Sequence, residues 1–218
     1  MTLERLVQAL QVYLVADSDH ARHRIVDATA AALSGGVSMV QLRAKQLSDR
    51  DCFALAETMC RLCRDRAVPF LVNDRVDIAL AVGADGVHLG VDDLPLEDAR
   101  RLLGPNAIIG FSPETDDQTI EASRRGTNYL GIGPVYGTAT KSDAGSPIGA
   151  DAVGRRATLS GLPVIGIGGI TPENAAEVIS AGAAGVAVVS AILGQNDPAF
   201  AARRLGAAVR EAHARRDG

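Results

Sequence analysis

A chain of 218 residues with 47% hydrophobic content can bury a substantial core within one domain. Aromatics make up only 3%, Trp is absent and Gly numbers 23, a balance that favours thin parallel strands packed against helices over a sandwich with aromatic layers. The formal net charge of −4 excludes the broad basic face that nonspecific nucleic-acid binding requires, so any phosphate must be held by a local site.

The first twenty residues, MTLERLVQALQVYLVADSDH, are interrupted by Glu4, Arg5 and Gln8, which excludes a signal-peptide apolar region. Nowhere do 18 consecutive apolar residues occur, so no membrane span is expected and the chain reads as cytoplasmic. From there, short β-branched runs alternate with amphipathic segments. The strands are expected over 11–17, 37–44, 68–74, 85–90, 107–112, 128–135, 163–170 and 185–191. Helical stretches lie between them, as at 24–36, 48–67, 95–104 and 171–182, several beginning at Ser, Thr or Pro and ending near Gly. Thr171 is placed as the N-cap of the last of these, with Pro172 at its first helical position.

Eight βα units in sequence imply an α/β fold of the (β/α)8 TIM-barrel type, because right-handed crossovers repeated eight times close a parallel sheet on itself. A doubly wound open sheet is the alternative. No composition shift, Pro-rich linker or low-complexity stretch marks a boundary, so residues 1–218 read as one domain with a core over about 11–210. The tail from Ala207 reads as a last helix fraying into a charged end. Cys60 and Cys63 have redox or metal spacing, yet Cys52, Leu55, Ala56, Met59, Cys60 and Cys63 together form one apolar helical stripe. Core packing is the expectation for these thiols.

In a barrel of this kind the chemistry collects where strands end. Following the chain, the strand ends carry Gln41-Leu42-Arg43-Ala44-Lys45, then Asn73-Asp74, His88, Asp92-Asp93, Ser112, Thr138-Ala139-Thr140-Lys141, Gly168-Gly169 and Ser190. Arg43 and Lys45 stand at i and i+2, two cations suited to an anionic ligand or else a solvated strand end. Asp74 closes the third strand and Asp93 lies just beyond the fourth, and adjacent parallel strands lie about 5 Å apart. The two carboxylates suit a shared Mg²⁺ better than Zn²⁺, or serve as solvated acids and helix caps. His88 is either a buried hydrogen-bonded imidazole or an acid–base group, while His20, His23 and His213 are expected to be solvated. The Gly168-Gly169 turn and the Val189-Ser190 segment offer an anion site after strands seven and eight, or simply tight packing. The long small-residue loop over 133–149, with Thr138, Thr140 and Lys141, reads as a substrate-closing lid.

QLRAK, ND after the third strand, GADGVHLG followed by DD, GPVYGTATK, GIGGIT and VVSAI occur here in that order, and the chain resembles the thiamine phosphate synthases over most of its length. The resemblance implies transfer of a hydroxymethylpyrimidine group from its diphosphate to hydroxyethylthiazole phosphate, or to its carboxylated form, releasing pyrophosphate. It assigns Gln41, Arg43, Lys45, Asn73, Ser112 and Lys141 to the pyrimidine diphosphate, with Leu42 and Ala44 in the same segment. It assigns Thr138, Ala139, Thr140, Gly169, Val189 and Ser190 to the thiazole phosphate, and Asp74 and Asp93 to Mg²⁺. Arg43, Lys45, Lys141 and Ser112 become the catalytic group, assisting departure of pyrophosphate in a dissociative mechanism. The partners implied are small phosphorylated molecules; the oligomeric state stays open, a homo-oligomer included. A related thiazole tautomerase, which would need no diphosphate and no Mg²⁺, is the alternative. Pro113-Glu114-Thr115, Val91 and Gly137 depart from the family's usual residues without removing a charge or metal ligand.

Overall fold

In the computed structural model, which describes residues 1–21, 24–138, 140 and 145–218, every expected β-branched run forms a strand, each shorter than its sequence pattern, β1 least and β6 and β7 most. The strands are β1 Val12–Asp17, β2 Met39–Arg43, β3 Phe70–Asn73, β4 Gly86–Leu89, β5 Ile108–Phe111, β6 Tyr129–Ile132, β7 Val164–Ile167 and β8 Gly185–Val188. Each pairs in parallel with its sequence neighbours and β8 pairs with β1, which closes the barrel and excludes the open sheet.

The helices among the described residues are α1 Leu3–Ala9, α2 Ser18–Ala21, α3 Ile25–Ser34, α4 Asp49–Arg64, α5 Val76–Val82, α6 Leu96–Leu103, α7 Asp116–Ala122, α8 Ala150–Ser160, α9 Ala175–Ser180, α10 Ser190–Leu193 and α11 Pro198–Asp217. None of them is long and apolar enough to cross a membrane. Caps follow side-chain chemistry at several starts. Ser48 accepts from the Asp51 amide at α4, and Asp197 accepts from the Phe200 amide at α11, which opens with Pro198. Thr115 and Gln118 form a capping box at α7, so the departing segment Pro113-Glu114-Thr115 has a local reason: it starts a helix.

Alternation along the strands divides the core in two. Val12, Leu14, Val40, Leu42, Val72, Val87, Ile109, Leu130, Val164 and Val186 face the helix layer, to which α4 contributes the stripe Cys52, Ala56, Met59, Cys60 and Cys63 beside β2 and β3. All three thiols are free and buried, and burial pushes Cys63 up to about 12, so the core-packing reading holds. The other set, Tyr13, Val15, Met39, Leu71, Ile108, Tyr129, Ile165 and Ala187, fills the barrel interior. The N-terminal end of that interior is shut by Leu6, Ala9 and Leu10, of α1 and its C-cap. No element was expected at 3–9 from the sequence.

Two local expectations are corrected. Thr171 does not cap α9: its amide donates to Asn174 Oδ1 and its hydroxyl accepts from the Glu173 amide, so a turn intervenes and the helix begins at Ala175. His213 is not a solvated tail residue. Helix α11 runs on to Asp217 and sets the ring half-buried, with Nε2 3.2 Å from the Ala184 carbonyl.

Candidate active site

The β2 end is organised by a residue the sequence reading passed over. Asp17 closes β1 in register with Arg43, is 3% exposed, and takes the Arg43 guanidinium at 2.5 Å through Oδ2. Its other oxygen, Oδ1, accepts from the amides of Asp19 and His20, so the carboxylate is held before it holds Arg43. The only sequence signal was an acid at a strand end next to a strand that ends in arginine. Two residues on, Lys45 lies in a turn, half-exposed. Leu42 and Ala44 pack towards the helix layer, and Leu42 is paired with β1 and β3 on either side.

Lys45 Nζ stands 3.3 Å from Asp74 Oδ2. Asp74 follows β3 with φ +63°, a left-handed conformation that Asp tolerates better than most residues, while its amide still donates to the His88 carbonyl at 2.9 Å. Burial, then a hydrogen bond to Asp93 and the charge of Asp93, raises the Asp74 carboxyl to about 6; Lys45 offsets only part of this. Asp93 does not cap α6, whose N-cap is Pro95; its Oδ2 instead accepts from the Gly90 amide at 2.6 Å. Two close carboxylates with an excess of negative charge make a donor set suited to a hard divalent cation. Among the described residues no group of three or more His, Cys, Asp or Glu gathers for a metal. A cavity of about 260 Å³ opens beside Asp74, lined in part by Lys45, Asn73, Asp74 and Cys52; Asp93 is not part of its lining.

Inside the barrel the same strands carry a string of polar groups. Gln41 Nε2 donates to Tyr13 Oη at 2.7 Å, Tyr13 Oη lies 2.8 Å from Tyr129 Oη, and Tyr129 Oη lies 2.9 Å from His88 Nδ1. His88 Nε2 then reaches Ser112 Oγ at 2.8 Å. Desolvation pulls the imidazole down to about 4, so the ring is neutral at pH 7, and it raises both tyrosines above their ordinary range. Of the two readings of His88, the buried hydrogen-bonded imidazole is the one realised.

Across the mouth, the loop after β6 is tied at both ends. Val135 and Tyr136 donate their amides to the carbonyls of Ile167 and Gly168, and Ile148 and Gly149 return theirs to Pro134 and Val135. Gly168 and Gly169 have φ +97° and +65°, and a Cβ on either would strike this loop, at Pro134 Cα (2.7 Å) or the Gly137 carbonyl (2.5 Å). The glycines therefore have a packing role. Thr140 accepts no help from a helix; its amide donates to Thr138 Oγ1 and its hydroxyl sits 3.4 Å from Ser190 Oγ, over the β8 end where Val189 caps α10. Ala139 and Lys141 lie outside the described residues, as does His23. The expected residues that are described thus gather at one end of the barrel: Gln41 to Lys45, Asn73, Asp74, Asp93 and Ser112 on one side, and Thr138, Thr140, Gly169, Val189 and Ser190 on the other.

The family described as thiamine monophosphate synthase matches residues 12–192. A thiamine-phosphate synthase of Roseiflexus sp. (strain RS-1) is 48% identical over 202 residues, covering 92% of this chain and 86% of that protein. One of Natronomonas pharaonis is 47% identical over 207 residues, 94% of this chain and 97% of its own length. Among solved structures, the thiamine phosphate pyrophosphorylase from Pyrococcus furiosus superposes with a TM-score of 0.86 at 37% identity, over 95% of this chain and 98% of that one.

Proposed function

The chain belongs to the thiamine monophosphate synthase family, and on that premise we propose that it transfers a hydroxymethylpyrimidine group from its diphosphate to hydroxyethylthiazole phosphate, giving thiamine phosphate and pyrophosphate. It acts as a single-domain cytoplasmic enzyme on two small phosphorylated substrates. The observation that carries this reading is the juxtaposition of Lys45, Asp74 and Asp93 beside the anchored Arg43: a cation pair and an under-compensated carboxylate pair at neighbouring strand ends.

Arg43, kept rigid by Asp17, binds a diphosphate oxygen pair, and Lys45 adds a mobile charge on the same side. Asn73 and Gln41 orient the pyrimidine, and Ser112 hydrogen-bonds it from β5. Asp74 and Asp93 would hold Mg²⁺, which supplies neutralisation of the leaving pyrophosphate. The C–O bond to the diphosphate breaks first, its electron pair leaving with pyrophosphate, and the aminopyrimidine carries the positive methylene until the thiazole nitrogen attacks. The protein supplies position and fixed charge. No nucleophilic side chain takes part. Gly169, Val189 and Ser190 receive the thiazole phosphate, and Thr138, Thr140 and Lys141 close over both substrates.

The test is thiamine phosphate formation from the two precursors with Mg²⁺ and with EDTA, in wild type, Asp74→Ala and Lys141→Ala. Product that requires Mg²⁺ and falls at least about a hundredfold in both variants is expected, the loss of a transition-state charge contact being worth about 3 kcal/mol. A folded wild type that makes no product overturns the reading.

A further inference from the structure

The five-membered polar string in the barrel interior contains three residues, Tyr13, Tyr129 and His88, that have no part in the proposed chemistry. Apolar side chains usually fill barrel interiors, so a continuous polar path here has a cost that only complete satisfaction offsets. The path is complete. It runs from β2 through β1, β6 and β4 to Ser112 just beyond β5, and every link is between 2.7 and 2.9 Å. Its surroundings are fitted to it: a Cβ on Gly110 would strike the Tyr129 ring and His88 Nδ1, and one on Gly131 would lie 3.0 Å from His88 Cε1 and 3.3 Å from Ser112 Oγ.

Proton counting gives the string a direction. The Gln41 amide N–H donates to Tyr13 Oη, so the single Tyr13 proton is directed to Tyr129 Oη. The single Tyr129 proton then goes to His88 Nδ1, which must be bare. A neutral imidazole carries its one proton on the remaining nitrogen, Nε2, and donates it to Ser112 Oγ. Ser112 has accepted, and its own proton is left to donate.

We infer that the string Gln41–Tyr13–Tyr129–His88–Ser112 is a polarised positioning relay: it locks His88 as the Nε2–H tautomer and presents Ser112 at the barrel mouth as a hydrogen-bond donor to an acceptor atom of the substrate. Tyr13, Tyr129 and His88 are positioning residues acting through Ser112 and Gln41. The substrate half of the inference rests on the proposed function; the tautomer half does not.

The tautomer is read from long-range ¹H–¹⁵N spectra of ligand-free protein labelled at histidine, with the His88 signals identified by their loss in His88→Gln. A bare Nδ1 and a protonated Nε2 are expected. A protonated Nδ1, or a ring exchanging between tautomers, overturns the relay. Tyr129→Phe keeps the ring and removes the central hydroxyl, and Tyr13→Phe breaks the next link. In each, once circular dichroism shows the fold retained, the tautomer preference is expected to weaken. The KM for pyrimidine diphosphate should rise about three- to tenfold while the KM for thiazole phosphate holds. Unchanged tautomer and unchanged KM in both variants would reduce the string to packing. Wild type inactive on both precursors but with His88 locked at Nε2–H would overturn the proposed function and the substrate half of the relay, and leave the tautomer half standing.

Discussion

Asp17 has more influence on the β2 end than its place outside the expected site residues suggests. With only 4% of its side chain exposed and both oxygens engaged, it restricts Arg43 to one orientation, and the arginine loses little further freedom when it meets an anion. Asp17→Asn keeps the shape and removes the charge. The KM for pyrimidine diphosphate is expected to rise about tenfold, with a smaller change in kcat, as steady-state kinetics against both substrates would show. His88 sets a different limit, on the fold. Its pKa falls from 6.5 to about 4 on burial, so between those values the unfolded chain takes up a proton that the folded chain refuses. Stability is complete above the unfolded value and is lost as pH falls, by about 2 kcal/mol at pH 5. Urea unfolding at pH 7.5 and pH 5 should show this loss in wild type and a smaller one in His88→Gln; equal losses would mean that other groups carry the acid sensitivity.

Among the elements, the β6–α8 loop depends most on its neighbours. Its two ends are pinned by backbone hydrogen bonds to β7 and to each other, so the length of the loop does not translate into freedom at its base. The pairing requires Gly168 and Gly169 in left-handed conformations with no side chain between them and the loop. Gly169→Ala strains φ +65° and also sets a Cβ 2.5 Å from the Gly137 carbonyl, so the loop must shift and carry Thr138 and Thr140 away from the β8 end. The KM for thiazole phosphate is expected to rise several-fold more than that for pyrimidine diphosphate, since backbone strain of this type costs about 1 to 2 kcal/mol. Equal changes for the two substrates would show a general loss of fold instead. Helix α4 makes a contrast: its Cys52-to-Cys63 stripe was readable from spacing alone, because a helical face needs only local periodicity to be recognised.

At the scale of the whole barrel, that difference between local and long-range information decides what the sequence could reveal. Eight βα units were legible because each repeats the same short-range pattern, and the positions of Arg43, Lys45, Asp74, Asp93 and Ser112 followed once strand ends were known to share a face. The relay was hidden: nothing local distinguishes Tyr13 or Tyr129, and only closure of the barrel brings residues 116 positions apart to 2.8 Å. Asp17 was hidden likewise, since its meaning is its register with Arg43. Helix α1 was missed for a third reason. Seven residues with two buried side chains have too little periodicity to announce a helix, and its apolar face makes sense only against the open N-terminal end of the barrel. There Leu6 and Leu10 join Met39, Leu71, Ile108 and Ile165, at the opposite end from the strand termini that carry the candidate site. A barrel built this way separates stability from chemistry along its axis. Leu6→Ala leaves a void under the interior layer and is expected to cost about 2 to 4 kcal/mol and lower Tm by about 10 °C, while the KM values for both substrates stay within twofold of wild type. Calorimetry and kinetics on the same preparation check both halves, and a KM shift as large as that of Asp17→Asn would show that the floor and the mouth are mechanically coupled.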